Sequence, residues 1–207
     1  YPWFFRLFGW VYKADAKISQ GTFTLNTDMD YMALIRNMRT SGGSAETVTL
    51  TIPEGYSVKQ IIDLMAKNGV GTEAGLTETA QNYVFEDFEF VDNDNLGNIS
   101  RLEGYLFPDT YIFYVGGRAE LAFTSMLNNF ENKVYNNDDL SDLIVTYQDA
   151  GYSLQQIITI ASLIEKETDG EDRDKIASVI YNRLTNAGET NYLLQIDAAL
   201  VYAAGRE

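Results

Sequence analysis

Cysteine and histidine are both missing from the 207 residues. Their absence excludes thiolate nucleophiles, Ser-His relays, disulfides, and metal sites built on sulfur or imidazole. Any acid–base chemistry falls to Asp, Glu, Tyr or Lys. A cysteine-free chain suits an exported protein that avoids disulfides. Basic residues are also scarce, with 15 Lys and Arg against 30 Asp and Glu and a formal net charge of -15. A charge of that sign repels nucleic acid and anionic lipid, so no nucleic-acid partner is expected. No apolar run nears the roughly 20 residues of a membrane helix. "YPWFFRLFGWVY" at the start is short and broken by Arg6. That abrupt aromatic start and the end at Glu207 read as a chain trimmed at one or both ends.

What is present is globular: 45% hydrophobic residues, 13% of all residues aromatic, and enough length for one large domain or two small ones. Residues 2–12 read as an aromatic helix. "QGTFTLN" alternates like a strand, and "DMDYMALIRNMR" has helical spacing. "TVTLTIPEG" and "SVKQIIDLMAKNG" repeat that plan, the second helix capped by Ser57 and closed by Gly69. A shift of 27 residues superposes the two units, with Thr22 on Thr49, Thr24 on Thr51, Ile35 on Ile62 and Met38 on Met65. Two similar βα units arising by coincidence is the competing explanation. "GLTETAQNYVFED" reads as a helix with Thr77 a plausible cap, "DNDNLGNIS" as a polar loop, and residues 119–135 as one helix. Further helices are expected at 153–168 and 172–187, and "NYLLQIDAALVYAAG" turns helical near Asp197. The fold class is therefore α+β: a small α/β module (residues 1–72) followed by a mostly helical region (73–207).

The chemistry concentrates in "ASLIEKETDG". From Ile157 to Ile164 only Thr159 and Ser162 are not apolar, the pattern of a central, buried helix. Helical spacing sets Ile158, Ala161 and Glu165 on one face, so the Glu165 carboxyl emerges where the helix leaves the core. Partial shelter there favours the protonated form that a general acid needs. The competing reading is a helix end with Glu165 in a salt bridge, although a carboxylate-rich last turn opposes the helix dipole.

"ASLIEKET", "RDKIASVIYNRL" and "LLQIDAALVYA", with "LEGYLFPDTYIF" upstream, resemble the catalytic region of the MltG (YceG-like) endolytic murein transglycosylases. "QGTFTL" and "TIPEGYSVKQI" are similar to that family's LysM-like βα region, so the likeness runs in order over about residues 18 to 203. It implies cleavage of the β-1,4 bond between N-acetylmuramic acid and N-acetylglucosamine without water, leaving a 1,6-anhydro end. It implies Glu165 as the catalytic acid and then base, and no cofactor or metal. Glu167, Gln195 and Asp197 are candidate sugar-binding residues. For Glu167 the alternative is a salt bridge to Arg173 or Lys175, and for Asp197 a helix cap. Glu103, Tyr105 and Tyr111 are candidates for the cleft lining, against ordinary core packing for the tyrosines. Asn182 and Arg183 are expected to brace the catalytic helix. Ile196 and Ala199 stand where the family carries hydroxyl-bearing residues, and Ala198 where it carries Pro. Family members also carry an N-terminal membrane helix and a further C-terminal stretch. The expectation is thus the outward-facing piece of a single-pass cell-membrane protein, short of part of its cleft wall, with glycan strands and cell-wall synthesis proteins as partners. A conventional glycoside hydrolase, with Glu103 or Asp197 as second carboxylate, and a non-catalytic peptidoglycan-binding module are the alternatives.

Overall fold

The computed structural model describes residues 46–186, 188 and 191–204. The aromatic helix at 2–12, the strand and helix that follow it, and with them the first copy of the 27-residue repeat lie outside the described residues.

In "TVTLT" the side chains alternate across β1 (Thr47–Thr51): Leu50 is buried, while Thr47, Thr49 and Thr51 face out. β1 pairs antiparallel with β2 (Thr110–Tyr114), placing Leu50 opposite Tyr111 and Val48 opposite Phe113. Tyr111 and Phe113 stack at 5.6 Å on the inner face. Period-two burial on one face is what fixes this register.

α1 (Val58–Lys67) begins as its sequence indicates. Gln60 N–H donates to the Ser57 hydroxyl, and Ser57 N–H donates to Gln60 Oε1 at 2.9 Å. This reciprocal box satisfies two amides that a helix start leaves open. Val58, Ile61, Ile62 and Met65 form its buried stripe, and Gly69 closes it at φ +77°. α2 (Glu73–Asn82) starts earlier than expected. Its cap is Thr72, whose Oγ1 accepts from Gly75 N–H at 3.1 Å; Thr77 lies inside the helix. Burial of Leu76 together with Ala80 requires both on one helical face, so the helix has to begin before Leu76.

A short 3₁₀ turn (Ile99–Leu102) carries Arg101, which is only 3% exposed. Its Nε donates to Ala80 O at 2.9 Å, its Nη2 donates to Tyr83 O, and its Nη1 donates to Asn93 Oδ1 at 3.3 Å. The guanidinium lies over Phe85, 5.4 Å from the ring centre. It answers the carbonyls at the end of α2, where a cation is favoured.

The remaining elements are helical: α3 (Ala119–Phe130), passing through a wide turn at Glu131–Tyr135, then α4 (Asp138–Asp149), α5 (Leu154–Glu167), α6 (Arg173–Thr185) and α7 (Asp197–Ala203). The architecture is mostly helical with one small two-stranded sheet. The large core runs from Leu50 to Leu154 and includes Phe123, Met126 and Leu127, all at 0% exposure. Each such side chain contributes about 2 kcal/mol through burial. Residue 72, the expected domain limit, falls between α1 and α2, which contribute to this same core. A second, smaller core gathers Ile160 of α5, Ile180 of α6 and Ile196 before α7. α5 thus joins both cores, Leu154 and Ile158 in the large one and Ile160, Leu163 and Ile164 in the small one.

Candidate active site

The expectation that α5 is buried on nearly all sides is not met. Leu154 and Ile160 are its buried residues, and Thr159, Ala161, Ser162, Glu165 and Lys166 are exposed. The two cores grip the helix on its flanks and leave an open stripe. The hydroxyls on that stripe turn back to their own helix, Thr159 donating to Gln155 O at 2.7 Å and Ser162 to Thr159 O at 2.8 Å. Glu165 stands at the open end of this stripe. Glu165 is exposed, so the shelter expected for its carboxyl is not found, and among the described residues neither is the salt bridge of the competing reading. Among the described residues Glu165 makes neither an ion pair nor a hydrogen bond.

The β1–α1 turn stands opposite Glu165. Gly55 takes φ +72°, and a Cβ built on it would lie 4.0 Å from Glu165 Oε1 and 3.3 Å from Lys166 Nζ. The turn is held from both sides. Before it, Ile52 N–H donates to Asp109 O at 2.9 Å. After it, the Glu103 carboxylate accepts from Val58 N–H, at 3.1 Å to each oxygen. A carboxylate at a helix N-terminus meets the positive end of the helix dipole. Glu103 therefore positions the turn facing Glu165, a role that a contact across 45 residues of sequence does not announce.

Gly104 sets α5 itself. At φ +82° it lies so close to α5 that an added Cβ would meet Ile158 Cγ2 at 2.3 Å. Consecutive residues of "LEGY" thus hold α1, α5 and the aromatic core. Of these, Gly55, Gly104 and Lys166 escaped the sequence reading. The signal available for the two glycines was the turn-forming "PEG" and the isolated glycine of "LEGY".

The tyrosines expected in the cleft belong to the core. Tyr111 is 9% exposed, donates its hydroxyl to Phe107 O at 2.6 Å and accepts from Asn129 Nδ2 at 3.0 Å. Burial raises the affinity of its phenol for the proton. Tyr105 is 2% exposed and its ring meets Phe90 and Phe130 at 5.3 and 5.2 Å. Burial, with the Asp92 charge in support, pushes its phenol up to about 12. Tyr105 lines a groove at the N-terminal end of α5, the opposite end from Glu165.

Glu167 is exposed and does not pair with Arg173 or Lys175; Lys175 Nζ instead meets Asp172 at 2.6 Å. Gln195 is exposed at φ +54°. Asp197 is not the cap of α7, a position Ile196 occupies, but the first helical residue, where its negative charge suits the dipole. Ile196 enters the small core with Ile160, bringing the stretch that bears Gln195 and Asp197 against α5. Arg183 Nη1 donates to Leu194 O, so Arg183 braces this stretch rather than α5. Among the described residues no group of three or more acidic side chains is placed to hold a metal ion, nor is any helix long and apolar enough to cross a membrane.

The chain is similar to known proteins. An endolytic murein transglycosylase of Streptococcus pneumoniae serotype 2 (strain D39 / NCTC 7466) is 30% identical over 94% of this chain and 37% of its own length. One of Bacillus subtilis (strain 168) is 33% identical over 94% of this chain and 54% of its own. The chain therefore spans about a third to a half of the length of these curated relatives. A 2.6 Å crystal structure of a yceG-like protein from Listeria monocytogenes superposes with a TM-score of 0.65 at 29% identity, over 99% of this chain and 67% of that one. Residues 1–207 match the YceG-like family throughout, and the chain belongs to that family.

Proposed function

We propose that this chain carries the cleavage centre of an endolytic peptidoglycan lytic transglycosylase. The bond cleaved is the β-1,4 link from N-acetylmuramic acid to N-acetylglucosamine, and Glu165 serves first as acid and then as base. Its proton passes to the glycosidic oxygen as the C1–O bond breaks. The resulting carboxylate takes the proton of the muramyl 6-hydroxyl as O6 bonds to C1. No water is consumed and the product ends in a 1,6-anhydro ring. The observation that carries this reading is Glu165 itself, exposed and without a partner among the described residues, across from a glycine that leaves room beside its carboxyl. The names of the curated relatives support the substrate class. A glycan lying over the open stripe of α5 would cover the carboxyl and exclude water, supplying on binding the shelter the free protein lacks.

Glu167 on α5, and Gln195 and Asp197 on the stretch that Ile196 packs against α5, are proposed to hold sugar hydroxyls. The βα unit of β1 and α1 is taken as LysM-like, guiding the strand toward Glu165. The setting is the outer face of a cell membrane, with cell-wall synthesis proteins as neighbours. Replacement of Glu165 by Gln in the full protein tests the reading. Cleavage of isolated peptidoglycan falls by about 10²–10⁴-fold, while the thermal midpoint stays in place because the carboxyl is exposed and makes no bond among the described residues. Retention of most of the activity by Glu165→Gln overturns it.

A further inference from the structure

The groove at the N-terminal end of α5 has a volume of about 540 Å³. One α-helical rise per residue puts Leu154 on its wall about 16 Å along the axis from Glu165. It is thus separate from the cleavage centre. Its floor is aromatic, from Phe90, Tyr105 and Tyr135, with Phe90 5.3 Å from each of the other two rings. The decisive group is Tyr105. The residue is only 2% exposed, and among the described residues its hydroxyl has no hydrogen-bond partner; it lines the groove. A phenol this far withdrawn ordinarily finds a protein partner; no side-chain polar atom among the described residues is both sealed and unpaired, so this one is left to solvent or to a ligand in the groove. Around it stand three carboxamides, Asn95, Gln148 and Gln155, whose side chains make no hydrogen bond among the described residues.

These groups define a ligand class. A carboxamide offers a donor pair and an acceptor side by side, matching another amide or adjacent hydroxyls. Half-buried ring faces accept the C–H faces and methyl groups of an amphipathic ligand. The exposed acids Glu89 and Asp92 on the rim disfavour an anion. The cation in the wall, Arg101, already donates to the carbonyls of Ala80 and Tyr83. We propose that this groove is a second saccharide site, binding neutral sugars that bear acetamido groups through the Tyr105 hydroxyl and the Gln148 and Gln155 carboxamides. It would hold a glycan strand at a fixed distance from Glu165.

The test uses the full protein carrying Glu165→Gln, which separates binding from turnover, with a tetramer of β-1,4-linked N-acetylglucosamine as probe. The expected result is movement of the Gln148 and Gln155 side-chain amide resonances on titration. Affinity falls by about 5- to 10-fold on adding Tyr105→Phe or Gln155→Ala, the loss of one hydrogen bond each. Tyr105→Phe keeps the ring and removes no hydrogen bond to the described residues, so an unchanged thermal midpoint shows that weaker binding is not unfolding. A glucose tetramer, lacking acetamido groups, leaves the resonances still. Shifts confined to residues 54–56 and 163–167, or full affinity in both variants, overturn the site. Binding in the groove by a protein whose unmodified form cleaves no glycan supports the site and defeats the reading of Glu165 instead.

Discussion

Gly104 shows how much of the geometry rests on single residues. Alanine there must adopt φ +82° and place its Cβ 2.3 Å from Ile158 Cγ2. Strain and overpacking together cost roughly 2–4 kcal/mol. Gly151 has a similar φ of +93° but nothing within 4 Å of an added Cβ, so its alanine variant bears the strain alone, about 1 kcal/mol. Chemical denaturation of both variants separates the two terms, and equal losses would show that α5 does not press on Gly104. Asp109 adds a pH signature. The Asn129 amide, then Thr110 N–H and the Lys133 ammonium, hold its carboxyl at about 2, below the ordinary 3.8. A lowered carboxyl stabilises the fold above its unfolded value and loses that contribution as pH falls through its folded value. The gap in denaturation midpoint between the native protein and Asp109→Asn accordingly narrows from about pH 4 down to about pH 2.

Among the elements, those with local signals were legible. Ser57 with Gln60 three residues on announces α1, and the alternation in "TVTLT" announces β1. The start of α2 was misplaced because two threonines offered caps, and only the joint burial of Leu76 and Ala80 decides between them. The apolar density of α5 was read as burial, whereas composition does not tell which side chains find partners; the open stripe depends on how α6 and α7 return to the helix. Tyr105 and Tyr111 are cleft candidates by sequence, and their burial in the large core likewise depends on partners that composition does not show. Glu103 was visible as a site candidate, but its bond to Val58 N–H was not. Glu103→Ala removes an anion from the start of α1 and costs about 1 kcal/mol. Amide exchange at Val58 then accelerates more than at Ile61 or Ile62. A uniform change along α1 would contradict the capping role.

At the scale of the molecule, α5 is the shared beam of two cores, with Glu165 beside the β1–α1 turn at one end and the aromatic groove at the other. This explains why the candidate acid can be exposed and still fixed in place. Its helix is anchored by Ile158 and Ile160, so the carboxyl is positioned without needing bonds of its own. Overall identity was legible because the sequence blocks lie in the family's order, while the layout around Glu165 required contacts between residues far apart in the chain. The most direct measurement is mass spectrometry of the glycan ends released from peptidoglycan by the full protein. Glu165 acting alone as acid and then base predicts ends of the 1,6-anhydro form, each lighter by one water than a hydrolysed end. Reducing ends in their place would mean that water attacks the anomeric carbon, and the one-carboxylate account would be wrong.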